Sequence, residues 1–168
     1  VEAFPELPEN AAFRGHGMPV PPLVGSGPEA TGGFYSKQVM RDIISFAQGV
    51  GVDIVPEFDM PGHCYAFLQA LPILRDPDET GNYYSVQKYP NNCLNPAVEA
   101  VYAAVDTILD EMAALFPSDH FHIGADEVPA DAWAGSPAAN AMRKRLGVTG
   151  TASLQAAFLK HVHARLRE

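Results

Sequence analysis

The feature that most constrains this chain is a short apolar run that ends in two neighbouring acids, Phe121-His122-Ile123-Gly124-Ala125-Asp126-Glu127-Val128. Phe121 and Ile123 are strand formers, and Gly124 and Ala125 leave room where elements crowd, so the first half reads as a buried strand. Asp126 and Glu127 fall where that strand stops. Carboxylates there are costly unless paired, solvated or used, because desolvation drives them toward the neutral form. A second segment has the same design: Val52-Asp53-Ile54-Val55-Pro56-Glu57-Phe58-Asp59-Met60-Pro61-Gly62-His63, an apolar start that runs into Glu57 and Asp59 and then into a Pro-Gly turn carrying a histidine. Two strands that end in titratable groups imply one shared site.

Composition narrows the partners. With 11 basic and 20 acidic residues the net charge is -9, which repels phosphate backbones and anionic membranes, so neither nucleic acid nor a membrane surface is expected. No apolar run approaches the roughly 20 residues of a spanning helix. The first residues, Val1-Glu2-Ala3-Phe4-Pro5, have neither the basic start nor the apolar middle of a signal peptide. Cys64 and Cys93 form no disulfide framework and no short-spaced metal pair, though a single bridge between them is left open. The compartment stays open too, with periplasm or secretion both compatible, and so does a homodimer.

Residues 1–34 hold many of the prolines and glycines, including Pro19-Val20-Pro21-Pro22 and Gly25-Ser26-Gly27-Pro28, and read as a loop-rich lead-in without regular structure. Ser36 then caps an amphipathic helix carrying Val39, Met40, Ile43, Ile44 and Ala47, closed by Gly49 and Gly51. The 52–58 strand follows, then a short helix over Tyr65 to Leu71 before Pro72 and a polar loop from Asp76 to Asn92. A loop of that length shapes a site or is mobile. Asn95-Pro96 starts a long helix whose apolar face runs from Val98 to Leu115, and Pro117 ends it. After the 120–125 strand come a loop, a short helix near Ala138 to Arg145 and a last helix from about Ser153. Strands buried on both faces and alternating with helices are the grammar of a parallel sheet with crossover helices. Two strands are too few for a stable sheet, and a (β/α)₈ TIM barrel needs about 200 residues or more. The expectation is an α/β fold: a central slice of such a barrel, with residues 35–168 supplying βα units.

Each candidate has a plainer reading. Asp126 and Glu127 could cap the segment from Val128 to Trp133, against the catalytic reading that their place at a strand end favours. His63 could be a surface turn histidine. Glu57 and Asp59 alternate onto one strand face, so both point toward the barrel mouth as site residues or as hydrogen-bonding support. His122 falls on the face of Gly124 and Asp126 and reads as a satisfied interior histidine. His161 and His163 read as surface or packing residues, and Trp133, Tyr83 and Tyr84 as packing rather than sugar-stacking groups.

The run from His122 to Val128, with Pro56 to His63 ahead of it and Gly32-Gly33-Phe34-Tyr35 before the first long helix, resembles the family 20 glycoside hydrolases, the β-N-acetylhexosaminidases. The resemblance covers essentially the whole chain, from Phe4-Pro5-Glu6-Leu7 to Leu154-Gln155. It departs at Ala125, where the family usually has a second glycine. It implies a substrate-assisted, retaining mechanism on terminal amino-sugar glycosides or chitooligosaccharides, an exception to the two-carboxylate scheme, with no cofactor and no metal. Glu127 is then the general acid and base, Asp126 the anion that holds the acetamido N–H, and His63 a polar support beside Glu127. The family's barrel also takes an arginine and an aspartate from an earlier strand and aromatic walls from later ones. None of these is recognisable here, so residues 1–168 alone are expected to be inactive. Two alternatives stand beside this reading. One is a metal-dependent hydrolase built on His63, His122, Asp59, Asp126 and Glu127, which adjacent acids on one strand make a poor ligand set. The other is a non-catalytic carbohydrate-binding module, which the presence of both acids opposes.

Overall fold

The computed structural model of the chain describes residues 1–22 and 29–168. The Gly25–Pro28 part of the predicted loop lies outside the described residues. In chain order the elements are α1 (Glu6–Asn10), β1 (Phe13–Arg14), β2 (Thr31–Gly32), α2 (Lys37–Gly49), α3 (Tyr65–Ala70), a 3₁₀ turn (Pro72–Leu74), α4 (Glu99–Leu115), α5 (Pro137–Leu146) and α6 (Thr151–Leu166). None of these helices is long and apolar enough to cross a membrane.

The two acid-bearing segments lie side by side and parallel, but neither becomes a regular strand. They meet in one bridge, Glu57 with His122, extended by hydrogen bonds from His122 N to Pro56 O (2.9 Å), Phe58 N to His122 O (3.0 Å) and Met60 N to Ile123 O (3.1 Å). Pro56 brings no N–H to a ladder, and a pair has one ladder where a sheet has several. The expectation of burial on both faces is corrected as well. Val52 and Val55 are exposed, and Phe58, Phe121 and Ile123 are only half-buried against the core, because among the described residues no further strand flanks the pair.

The helices follow the sequence more closely. Ser36 Oγ accepts from Val39 N (3.2 Å) and opens α2, and Ser136 Oγ accepts from Ala139 N (3.0 Å) to open α5 ahead of Pro137. Helix α5 closes on Gly147 in the left-handed region (φ 65°). In α2 only Ile44 and Ala47 are buried, while Val39, Ile43 and Phe46 stay exposed, so its apolar stripe is wider than the surface that covers it. Helix α4 begins at Glu99, later than Asn95-Pro96 predicts. Asn95 Oδ1 accepts from Ala97 N (2.9 Å), which closes a turn two residues on and delays the helix. The lead-in is more regular than its prolines predict, since α1 packs against α3 and β1 pairs antiparallel with β2.

The main core joins α3, α4 and α6 through Met60, Leu68, Leu94, Val101, Val105, Phe158 and Val162. Each such side chain stabilises by about 1.5–3 kcal/mol on burial, far more than an exposed pair such as Arg165 with Asp110, so apolar contact fixes α6 on α4. A second cluster gathers Tyr83, Cys93, Ala132, Trp133, Ala139 and Leu154. Cys64 and Cys93 are both buried and free.

The second cluster anchors the 76–92 loop. Thr80 N donates to Gly135 O (3.0 Å), Ser136 Oγ donates to Asp76 Oδ2, and Asn95 Nδ2 donates to Ser136 Oγ (3.0 Å). Glu79 sits in this seam with Oε1 buried and, among the described residues, without a hydrogen-bond partner. Burial first, and then the Asp76 charge, push its carboxyl up from 4.5 to about 7. A folded-state value above the unfolded one means stability that is full below pH 4.5 and lost as pH rises through 7. Glu79→Gln should therefore melt at a higher temperature than the parent at pH 7.5, with the difference shrinking toward pH 4.5. A difference that is flat across that range would contradict the assignment.

Candidate active site

The bend that carries the acids is built from left-handed backbone. Gly124, Ala125 and Glu127 have φ of 62°, 74° and 47°. For the two non-glycine residues this costs roughly 1–2 kcal/mol each. Asp59 offsets it from the neighbouring segment: its Oδ1 accepts from Ala125 N (3.2 Å). From the other side Gln155 Nε2 on α6 donates to Ala125 O (2.8 Å). A Cβ at Gly124 would lie 1.9 Å from Asp59 Oδ1 and 2.9 Å from Asp59 Cα, so only glycine lets the two segments approach this closely.

The Pro61-Gly62 turn approaches from the same side. A Cβ on Gly62 would meet Asp126 O at 2.9 Å, so the missing side chain is what brings His63 beside the acids. The turn is pinned from behind by Leu94 N to Pro61 O (2.8 Å) and Cys64 N to Asn92 O (2.9 Å). His63 Nε2 then lies 3.5 Å from Asp126 Oδ1, 3.4 Å from Glu127 Oε2 and 3.9 Å from Asp59 Oδ2. These are charge contacts looser than a good hydrogen bond, and one ring nitrogen can serve only one carboxylate at a time. The Asp126 and Glu127 side chains are 66% and 41% exposed, so a ligand can reach both. Burial is the main force raising the Asp59 carboxyl above its ordinary range, against the Ala125 N–H and the His63 charge, which lower it; Asp126 and Glu57 add to the rise.

Asp59, His63, Asp126 and Glu127 thus come together, as their strand-end placement predicts. Glu57 and His122 do not join them. His122 is exposed, not interior, and its Nδ1 lies 3.0 Å from Glu57 Oε1 and 3.1 Å from Gly124 N. That nitrogen can donate to the carboxylate or accept from the amide, not both. The expectation fails because it assumes sheet neighbours on a face that is open among the described residues. Trp133 and Tyr83 are buried in the second core cluster, and His161 pairs with Asp106 (2.8 Å) against Tyr102, so all three are packing groups.

Two site residues carry no sequence signal strong enough to single them out. Gln155 appears only at the far end of the family resemblance. Gln87 lies inside the 76–92 loop, and its Nε2 donates to Glu127 Oε2 at 3.2 Å. Beside these groups a cavity of about 470 Å³ opens between the lead-in and the loop, lined in part by His63, Tyr65, Gln87 and Tyr89.

Ligand atoms of Asp59, His63 and Asp126 fall within 4.8 Å of one another. That is looser than the roughly 3.3 Å between ligands of a tetrahedral zinc. The His-x-His spacings in the chain, His120 with His122 and His161 with His163, contribute nothing to this group, since His122 faces Glu57 and His161 faces Asp106.

Residues 1–168 match the family described as "Glycosyl hydrolase family 20, catalytic domain". The chain belongs to glycosyl hydrolase family 20. It is 38% identical over 168 residues to a β-hexosaminidase of Vibrio furnissii, covering 99% of this chain and 28% of that protein. It is 42% identical to the exo-β-N-acetylglucosaminidase of Vibrio harveyi in complex with N-acetylglucosamine, with a TM-score of 0.94 over 99% of this chain and 26% of that one. A β-N-acetylhexosaminidase of Bacteroides fragilis matches at 29% identity and a TM-score of 0.79, covering 99% of this chain and 30% of that one. The family 20 chain therefore spans about a quarter to a third of the length of these relatives.

Steric fit at the bend is testable by a pair of substitutions. Gly124→Ala should lose about 2–4 kcal/mol in urea denaturation, since it adds both left-handed strain and overpacking. Ala125→Gly, which relieves the strain of a methyl at φ 74°, should be at least as stable as the parent. Equal stabilities for Gly124→Ala and the parent would show that the bend is not under this constraint.

Proposed function

We propose that this family 20 chain is part of the catalytic domain of a β-N-acetylhexosaminidase that releases terminal N-acetylglucosamine or N-acetylgalactosamine from β-glycosides, chitooligosaccharides among them, with retention of configuration. Residues 35–168 supply βα units of a (β/α)₈ barrel, and residues 1–34 its loop-rich lead-in. The parallel 52–58 and 120–125 pair supports this placement. So do the exposed Val52, Val55 and Phe46, the kind of surface that neighbouring barrel units would cover. Activity is assigned to the full-length protein, with the remaining sugar contacts supplied from outside residues 1–168.

The observation that carries the reading is one imidazole between two adjacent, accessible acids, 3.5 Å from Asp126 and 3.4 Å from Glu127. The chemistry needs one acid to give a proton and its neighbour to stay charged. Glu127 protonates the departing glycosidic oxygen and later takes a proton from the incoming water. Asp126 stays ionised and accepts from the acetamido N–H. This steers the acetamido oxygen onto the anomeric carbon, and the carboxylate steadies the positive oxazolinium ring that results. His63 orients the pair. Asp59 acts one step back, by accepting from Ala125 N in the bend that carries both acids. The N-acetylglucosamine bound to the Vibrio harveyi enzyme and the inactive aspartate-to-alanine variant of that enzyme are consistent with a site for this sugar that depends on an aspartate.

In the full-length protein, Glu127→Gln should lower kcat/KM on an aryl β-N-acetylglucosaminide with an ordinary leaving group by about 10²–10⁴. Near-normal rates would remove Glu127 from the acid role.

A further inference from the structure

Among the described residues the Glu127 side chain receives one hydrogen bond, and it comes from a residue outside the acid-histidine group. Gln87 Nε2 reaches Glu127 Oε2 across 3.2 Å from a position forty residues away in the chain. The Glu127 side chain is 41% exposed and its backbone is left-handed. Neither close packing nor an ordinary strand rotamer holds the carboxyl in one direction.

Gln87, in contrast, sits on a closed turn. Ser85 N donates to Tyr89 O (2.9 Å), Lys88 N to Ser85 O (2.9 Å) and Tyr89 N to Ser85 Oγ (3.1 Å). Ser85 is buried, at 3% exposure. Tyr89 secures the turn at both ends of its side chain: its hydroxyl donates to Pro21 O (2.9 Å) in the lead-in, and its ring packs on Tyr65 with centroids 4.7 Å apart. A turn fastened this way to the lead-in and to α3 aims one amide at the carboxyl.

A carboxamide also suits a group that alternates between acid and base. Its N–H₂ donates to the carboxylate, and after rotation its carbonyl accepts from the protonated acid. Neither half titrates in the working range, so the contact survives both stages of the cycle.

We propose that Gln87 is a positioning residue for proton transfer, aiming the Glu127 carboxyl at the leaving-group oxygen on the side of the cavity that Gln87 itself lines. The assignment rests on the acid role of Glu127 given above. It goes beyond that role because it makes the 76–92 loop part of the proton-transfer apparatus and not merely a wall.

The test uses the full-length protein and kcat/KM, which reports the step that expels the leaving group. Two substrates are compared: a methyl β-N-acetylglucosaminide, whose departure needs a proton, and the 2,4-dinitrophenyl glycoside, whose departure does not. Gln87→Met keeps length and volume and removes both polar atoms. It should lose about tenfold or more on the methyl glycoside, and the loss should shrink to about twofold on the dinitrophenyl glycoside. In a Glu127→Gln background the Gln87→Met change should add nothing further on the methyl glycoside. Gln87→Ala gives the same comparison if the methionine side chain disturbs the turn. Equal losses on both substrates would mean that Gln87 only supports the loop, and no loss on either would mean that the contact is idle. Both outcomes overturn the proposal. A wild-type protein that cleaves neither substrate would overturn the hexosaminidase reading beneath it, which is a separate result.

Discussion

Everything at this site depends on one carboxylate, Asp59, holding a backbone bend that disfavours itself. Two non-glycine residues in the left-handed region cost a few kcal/mol together. A charged acceptor on the Ala125 amide returns an amount of the same order. The balance is close enough that the approach of the two segments must be tight, and that is why Gly124 and Gly62 stand where a methyl would strike Asp59 or the Asp126 carbonyl. The same bend carries Asp126 and Glu127, whose carboxylates lie 3.5 Å and 3.4 Å from His63 Nε2 and stay open to a ligand.

The strain is local and its supports are not. Asp59 belongs to the 52–63 segment, Gln155 to α6 and Gln87 to a loop anchored against α5, so three separately packed parts of the chain converge on Ala125 and Glu127. The apolar core that fixes α6 on α4 therefore reaches the chemistry through the bond from Gln155 to Ala125 O. A catalytic constellation held by packed elements rather than by its own loop has the preorganisation that charge stabilisation in a transition state needs.

Much of this was legible in the sequence, and the limits of legibility have physical causes. Ser36, the glycines at 49 and 51 and the 3.6-residue recurrence located α2, and the same recurrence located α6, because those signals are local. The acid-bearing segments were recognisable as neighbours from their shared design, and Asp59, His63, Asp126 and Glu127 meet as placed. What failed depended on context. The face of His122 and the burial of Val52 and Val55 are set by whatever lies across the pair, which period-two alternation does not specify. The delayed start of α4 reflects a side-chain contact from Asn95 that closes a turn ahead of the helix. Gln87 could not be found at all, since a polar residue in a polar loop carries no pattern, and only the fold brings it to Glu127.

The division of roles between Asp126 and Glu127 is tested by a crystal structure of the full-length protein with a thiazoline analogue of the N-acetylglucosamine oxazolinium ion bound. An Asp126 carboxylate oxygen is expected within about 3 Å of the ring nitrogen, with Glu127 on the side where the leaving group departs and the Asp59 contact to Ala125 intact. An analogue bound away from His63, or seated with Asp126 turned from the ring nitrogen, would contradict it.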